Sequence, residues 1–262
     1  MVQARTGFSF GLPPSLGRDP VRELAREFAD LLFDAGFTTV IPYASYEELE
    51  RSLLDGEVDA AWGPPVVCAK VEENAGTVAL RAVRDGSTSY RSVLICRQND
   101  PIEIARIGQP GARRPRAVWV DEWSMAGYLM PRAHLARAGV NLETAFSEER
   151  TMGSYDDCFA EVLDGEADIT ASYVGRRGAG YVELCGNSAY LLRVLAYTDE
   201  CPNDAVVLAP QLAEERKLRL ESGLRNLVET PAAHKILTSM FDVDDFDRPP
   251  AGTYAPLVRL LG

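Results

Sequence analysis

Residues 45–59, SYEELERSLLDGEVD, and residues 154–168, SYDDCFAEVLDGEAD, are two versions of one segment. Seven of the fifteen positions are identical, and two more exchange Glu for Asp. Each copy opens on Ser-Tyr, where the serine oxygen can cap a helix start, and closes on Asp-Gly-Glu ahead of a short apolar stretch. Helix-turn-strand words converge because serine caps and glycine stops are common. The tyrosine match has no such explanation, since Tyr is not a capping residue. A repeat of this kind 109 positions apart predicts two similar α/β lobes, each with its own sheet. Ligands of such sheets sit beyond the carboxyl ends of the strands, which places the expected site in a cleft between the lobes.

Strands and helices alternate around the repeat. Phe8–Gly11 reads as a strand ended by Leu12-Pro13-Pro14. Asp19-Pro20 starts a helix whose positions Val21, Leu24, Ala25, Phe28, Leu31 and Leu32 share a face, with Gly36 at its end. Thr38–Ile41, Val58–Trp62, Tyr90–Cys96, Ala117–Val120, Leu191–Ala196 and Ala205–Leu208 read as strands. Ser124–Ala138 reads as a helix kinked at Pro131 and closed by Gly139, and Glu200–Asn203 as a turn. The pattern is helical again from Gln211 and loop-like near Arg248-Pro249-Pro250. Gln98–Arg116 holds three prolines and two glycines and reads as a connection into the second lobe. Helices alternating with strands mean a mixed, mostly parallel sheet flanked by helices in each lobe.

With 27 basic and 39 acidic residues the chain carries a formal charge of -12, which argues against a nucleic-acid partner. No apolar run reaches the length of a membrane span, so no membrane insertion is expected. The start, Met-Val-Gln-Ala-Arg-Thr-Gly-Phe, shows no export signal, so as written the chain reads as cytoplasmic. A chain whose signal has been trimmed reads the same way and would be periplasmic or lipid-anchored. The five cysteines have no C-x-x-C spacing and read as buried reduced thiols, and His134 and His234 are too far apart to suggest a metal. No metal and no cofactor are expected.

Three predicted helices begin with serine: Ser45, Ser124 and Ser154. A helix start offers unpaired N–H groups and partial positive charge, and several converging starts could hold an anion without a lysine. Taken singly, each serine reads as a cap. Tyr43, Tyr46, Tyr90, Tyr128, Tyr155 and Tyr173 fall at strand ends or helix starts, where a flat face and one hydroxyl suit a small polar organic ligand, though packing explains any one of them equally well. Trp62 and Trp123, at strand ends, are expected to line the cleft, and Trp119, inside a strand, to be core. Arg176-Arg177 would emerge at the cleft edge, where a guanidinium can pair with a carboxylate or phosphate, or simply be solvated. Asp59 and Asp168, equivalent in the repeat, read as structural. No nucleophile elbow, H-E-x-x-H, P-loop or dinucleotide fingerprint is present.

The run from Tyr46 through Trp62-Gly63-Pro64-Pro65, the segment Gly86–Leu94, the segment Asp121–Pro131, Gly153–Asp168 and Cys201–Asp204 together resemble the phosphate/phosphite/phosphonate-binding family of ABC-transporter solute-binding proteins. The resemblance covers most of the chain in the right order. It implies a two-lobed periplasmic-binding-protein type 2 fold, with lobe one at 1–93 plus 198–262 and lobe two at 94–197. It implies ligand contacts from Tyr46 and Tyr90, from a hydroxyl run at Ser124, Met125 and Ala126, and from a histidine position held here by Tyr155. It also implies an ABC permease as partner for an exported chain.

Two departures shape the ligand expectation. Met125 and Ala126 carry no hydroxyl, and Tyr155 replaces the histidine. Each lost hydrogen bond to a charged oxygen costs on the order of 1.5–3 kcal/mol, so a flatter, more apolar carboxylate suits the site better than a tetrahedral phosphonate. The first reading is therefore a binder of a small anionic organic molecule, as a solute-binding or sensor-type protein. Its expected site comprises Tyr46, Trp62, Tyr90, Ser124, Met125, Ala126, Ser154, Tyr155 and Arg176. The alternative is a cytosolic enzyme on the same fold, a lyase or dehydratase acting on a small, aromatic or other carboxylic acid, as the architecture's relatives in menaquinone and thiamine-precursor synthesis are. A third is an interaction module with a vestigial cleft.

Overall fold

The computed structural model describes residues 7–14, 27, 29–33, 35–175 and 178–260. The chain forms two compact units. One takes the chain to Thr88 and again Pro202–Leu260, and the other is the continuous stretch Ser89–Cys201.

In the first unit, strands β1 (Phe8–Leu12) and β2 (Phe37–Pro42) are followed by helix α1 (Tyr46–Leu54), β3 (Ala60–Gly63), α2 (Pro65–Glu73) and β4 (Thr77–Val83). The second unit carries β5 (Ser89–Arg97), β6 (Arg116–Trp119), a π turn at Met125–Leu129 leading into α3 (Met130–Arg137), and α4 (Leu142–Ala145). It continues with β7 (Glu148–Thr151), α5 (Tyr155–Asp164), β8 (Ile169–Gly175), β9 (Gly178–Ala179), α6 (Gly180–Cys185) and β10 (Leu192–Pro202). The chain then completes the first unit with β11 (Ala205–Leu208), α7 (Glu214–Val228), α8 (Pro231–Phe241) and β12 (Asp245–Asp247).

The repeat is real at the level of topology. The first sheet has the order β12-β4-β11-β3-β1-β2 and the second β10-β5-β8-β6-β7. In each, the strand after the repeated helix (β3, β8) pairs parallel with the strand that opens the motif (β1, β6), which pairs parallel with a third (β2, β7). Each central strand also takes an antiparallel neighbour, β11 on β3 and β5 on β8, and β8 pairs antiparallel with the short β9 as well. The caps repeat in detail. Ser45 and Ser154 share φ -143° and ψ 159°, and each side chain accepts from the N–H three residues on, Glu48 and Asp157. Gly56 and Gly165 follow the two helices at φ 71° and 84°, a region that a side chain would strain.

The repeated aspartates explain why the motif ends as it does. Asp59 Oδ2 accepts from Ser9 N–H at 2.8 Å and from the Ser9 hydroxyl at 3.0 Å, and Arg216 reaches Oδ1 at 3.2 Å. Asp168 Oδ2 accepts from Arg116 N–H at 2.8 Å, and Arg97, Arg113 and Arg116 surround its oxygens at 2.7–3.3 Å. Each carboxylate thus ties the central strand of its sheet to the neighbouring strand, a structural role.

Apolar alternation places the cores. Phe8, Phe10, Phe37, Trp62, Leu220, Leu224 and Phe241 form that of the first unit. In the second, β5 divides its residues between two faces, with Leu94 and Cys96 packing with Trp119 and Leu135, and Ile95 packing with Val118, Cys158 and Phe159. All five cysteines are free, and four are buried. Burial pushes the thiols of Cys96 and Cys158 up to about 11, so they stay protonated and unreactive.

Three sequence expectations are corrected. Gln98–Arg116 is no link between units but part of the second one, since Ile102 and Ile107 are buried in its core and Arg113 and Arg116 anchor Asp168. The kink expected at Pro131 is a π turn just upstream: Pro131 has no N–H to offer the Gly127 carbonyl, which accepts from Val120 instead. Residues 200–202 extend β10 rather than turning, and the turn starts at Asn203, whose amide holds the carbonyls of Ala82 and Ser87. The helix expected from Asp19 lies mostly outside the described residues, although 27 and 29–33 are helical.

Every strand of the second sheet comes from one continuous stretch. A fragment of residues 89–202 is therefore expected to unfold cooperatively by itself in urea. A non-cooperative, featureless titration would contradict that expectation.

Candidate functional site

The strongest constellation lies in the second unit, where β6 ends. After Trp119 the chain makes a tight loop. Asp121 Oδ1 accepts from Trp123 N–H at 2.8 Å, and the Asp121 carbonyl accepts from Ser124 N–H at 3.1 Å. The Ser124 hydroxyl accepts from Gly127 N–H at 3.1 Å, capping the π turn, and the Ser124 carbonyl accepts from Leu129 N–H. From β5, the Ser92 hydroxyl donates to the Ala126 carbonyl at 2.6 Å and fixes the turn against the sheet. Gly127 is needed for this close approach: an added Cβ would lie 2.6 Å from Val120 Cγ2 and 2.7 Å from Ser124 Oγ.

The second helix start is that of α5. Tyr155 stacks on Phe159 with centroids 6.3 Å apart and meets the edge of Tyr173 at 5.6 Å. The Ser124 hydroxyl neighbours this phenol and pulls its pKa down, but burial outweighs it. Burial raises the Tyr155 phenol well above its ordinary range, so it acts as a neutral donor. Burial likewise raises the Asp121 carboxyl, against the pull of the Trp123 and Ser124 N–H groups, with Glu122 adding to the rise. Two separate helix starts thus bring one hydroxyl and one phenol near each other, with the Asp121 carboxylate capping the loop that carries Ser124. Such a set can donate to an oxygen of a small anion and discriminate by proton count.

The sequence candidates divide sharply. Ser124 and Tyr155 come together. Met125 and Ala126 adjoin them, but both side chains are buried at 4% exposure, so their part in any contact falls to the backbone. Ser154 spends its hydroxyl on its own helix, accepting from Asp157 N–H at 3.1 Å and donating to the Asp157 carboxylate at 2.7 Å. Trp62, expected on the cleft lining, packs in the core of the first unit instead, stacked 4.0 Å from Phe241, because β3 is a central strand buried along its whole length. Tyr46 opens α1 in the first unit and Tyr90 lies on β5 in the second, both half-buried. Arg176 lies outside the described residues. Trp119 is core, edge-on to Tyr128 and Phe146, which also accounts for Tyr128 as packing.

Two residues of the site, Ser92 and Asp121, are not among the sequence candidates. The Asp-x-Trp spacing at 121–123 carries an Asx-turn signal that could have flagged Asp121. Nothing local distinguishes Ser92, whose role depends on a partner 34 residues away. Among the described residues no His/Cys/Asp/Glu group is arranged to hold a metal ion, and no helix is long and apolar enough to cross a membrane.

A family model described as ABC transporter, phosphonate, periplasmic substrate-binding protein matches residues 10–254. No curated protein matches in sequence. Among solved structures, the chain is similar to XAC2383 of Xanthomonas citri bound to ATP, with 17% identity, a TM-score of 0.76, and coverage of 98% of this chain and 96% of that one. It is also similar to PhnD1 of Prochlorococcus marinus in complex with methylphosphonate, at 20% identity, TM-score 0.73 and 97% coverage of both chains. A third is a binding protein component of an ABC phosphonate transporter from Pseudomonas aeruginosa, at 20% identity, TM-score 0.72, covering 97% of this chain and 85% of that one. At these identities the likeness speaks for the fold, the two-lobed α/β architecture of periplasmic-binding-protein type.

Proposed function

The chain belongs to the phosphonate periplasmic substrate-binding proteins of ABC transporters, and from that premise we propose that it binds a small organic carboxylate through Ser124 and Tyr155 and hands it to a permease. The family is a periplasmic solute-binding one, and export of this chain is part of the proposal. The observation that carries the reading is the meeting of the Ser124 hydroxyl and the Tyr155 phenol at two helix starts of one sheet. Tyr46 and Tyr90 are proposed as further contacts, in line with the family resemblance.

The preference for a carboxylate over a phosphonate rests on donor count. The side chains of Met125 and Ala126 are buried and carry no hydroxyl, so a three-oxygen head finds fewer partners than a two-oxygen one. Calorimetry at pH 7 with benzoate, methylphosphonate and inorganic phosphate tests this. Benzoate is expected to bind at least about tenfold tighter than methylphosphonate, a difference of about 1.4 kcal/mol. Ser124→Ala and Tyr155→Phe are each expected to weaken binding about tenfold to a hundredfold, the worth of one hydrogen bond to a charged oxygen. Tighter binding of methylphosphonate would reverse the ligand class, and indifference to both substitutions would move the site elsewhere.

A further inference from the structure

We propose that Ser92 is a positioning residue of the anion site: its hydroxyl aims the Ser124 hydroxyl at the ligand through the one peptide that joins Ala126 to Gly127, and Thr198 holds Ser92 in place. This rests on the reading that Ser124 binds the anion.

Both ends of that peptide are tied. Its oxygen, the Ala126 carbonyl, accepts from the Ser92 hydroxyl at 2.6 Å. Its N–H, that of Gly127, donates to the Ser124 hydroxyl oxygen at 3.1 Å. A trans peptide is planar and rigid, with its C=O and N–H pointing in opposite directions. Fixing the oxygen therefore fixes the line along which the N–H reaches Ser124. A hydroxyl oxygen that accepts a hydrogen bond has its own proton turned away from that donor. The Ser124 proton is thus kept off the turn and left for a ligand oxygen.

The Ser92 bond answers a gap in the turn itself. The Ser124 and Met125 carbonyls accept from the N–H groups five residues on, those of Leu129 and Met130. The same step from Ala126 ends on Pro131, which has no N–H. At that spacing the turn has no donor for the Ala126 carbonyl, and β5 supplies one. Ser92 and Ala126 are both buried, so losing this bond would strand a carbonyl away from water.

Thr198 completes the arrangement from the neighbouring strand β10. The Ser92 N–H donates to the Thr198 hydroxyl oxygen at 2.9 Å, and that hydroxyl donates to the Asp199 carbonyl at 2.9 Å. Ser92 also pairs with Tyr173 of β8, so its backbone is held from both sides. Three hydrogen bonds in series then lead from buried Thr198 to the Ser124 hydroxyl.

Calorimetry with benzoate and methylphosphonate at about pH 7, in two backgrounds, tests the arrangement. In the natural chain Ser92→Ala is expected to weaken the tighter of the two ligands about tenfold, and Thr198→Val about threefold to tenfold. Ser92→Thr keeps the hydroxyl and is expected to cost less than about threefold. In a Ser124→Ala background no hydroxyl remains to be aimed, so Ser92→Ala and Thr198→Val are each expected to cost less than about threefold more. A residue that only stabilises the fold would cost the same in both backgrounds. Thermal unfolding shows which variants are folded, and Thr198→Val carries the comparison where Ser92→Ala is not. Additive losses, or no loss from Ser92→Ala and Thr198→Val where Ser124→Ala weakens binding, would overturn the role of Ser92 and leave the Ser124 site standing. Ser124→Ala without effect, or no saturable binding of either ligand by the natural chain, would overturn the site and the positioning together.

Discussion

Asp168→Asn is expected to destabilise the chain by about 3 kcal/mol, or about 6–12 °C in Tm for a protein of this size, the largest effect of any single isosteric change outside the apolar core. The carboxylate is 1% exposed and faces Arg97, Arg113 and Arg116 while holding Arg116 N–H of the adjoining strand. Neutralising it leaves three guanidiniums around an uncharged amide whose NH2 group points a donor at other donors. Arg113 is 55% exposed and can turn to water, which keeps the expected cost at the low end for breaking a buried pair. The matching change in the first unit, Asp59→Asn, should cost about 1 kcal/mol. Asp59 pairs with Arg216 at 3.2 Å, a half-exposed side chain, and its bonds from Ser9 survive on the amide oxygen.

The same carboxylate sets a pH window. Burial alone would raise the Asp168 pKa, but hydrogen bonds from Arg116 and the charges of Arg113 and Arg97 outweigh it and hold the group at about 2. Its folded value lies below its unfolded value of about 3.9, so its contribution is complete above about pH 4 and is lost as pH falls through about 2. Urea unfolding of the natural chain and of Asp168→Asn at about pH 7, 4 and 2.5 should therefore show a gap that is nearly as wide at pH 4 as at pH 7 and much narrower at pH 2.5. A gap independent of pH would mean that shape, and not charge, makes the site.

Gly127→Ala should abolish most ligand affinity, by about a hundredfold, while leaving the chain folded with a loss of about 1–3 kcal/mol. The new methyl would sit 2.6 Å from Val120 Cγ2, 2.8 Å from Val120 Cβ and 2.7 Å from Ser124 Oγ, below the separation that real carbons tolerate. Val120 is buried just past the end of β6 and cannot retreat, so the turn must open and carry Ser124 away from Tyr155. Two hydrogen bonds to the anion then fail together. Gly139→Ala is the control. Nothing lies within 4 Å of its added carbon, and its φ of 86° costs backbone strain alone. Stability should drop by about 1 kcal/mol and affinity stay level. Calorimetry and thermal unfolding on both variants separate the cases, and equal affinity losses would show that the Gly127 contact is incidental to the site.

Much of the architecture is legible in the sequence because it is written locally. Ser45 and Ser154 cap their helices through bonds three residues long, and Gly56 and Gly165 take positive φ where the repeat places them. The unbroken apolar run Leu94-Ile95-Cys96 declares by itself a strand covered on both faces. The amino-acid order thus determined the repeated helix-turn-strand unit, the α/β class, and Ser124 and Tyr155 as helix starts with hydrogen-bonding side chains.

Tertiary structure alone decided which of those side chains are free to act. Trp62 stands at a strand end, where a ring can face either a ligand or the core, and α8 settles the matter by laying Phe241 over it. Trp119, inside its strand, is core as its position suggests, but only the fold supplies Tyr128 and Phe146 as its neighbours. Ser154 and Ser124 read alike as caps, yet Ser154 is consumed by Asp157 while Ser124 meets a phenol from another helix. Ser92 matters only through a partner that the fold delivers from 34 residues away. Capping and periodicity are short-range forces that each segment feels by itself, whereas burial and long-range pairing are set by neighbours whose place in sequence carries no local mark.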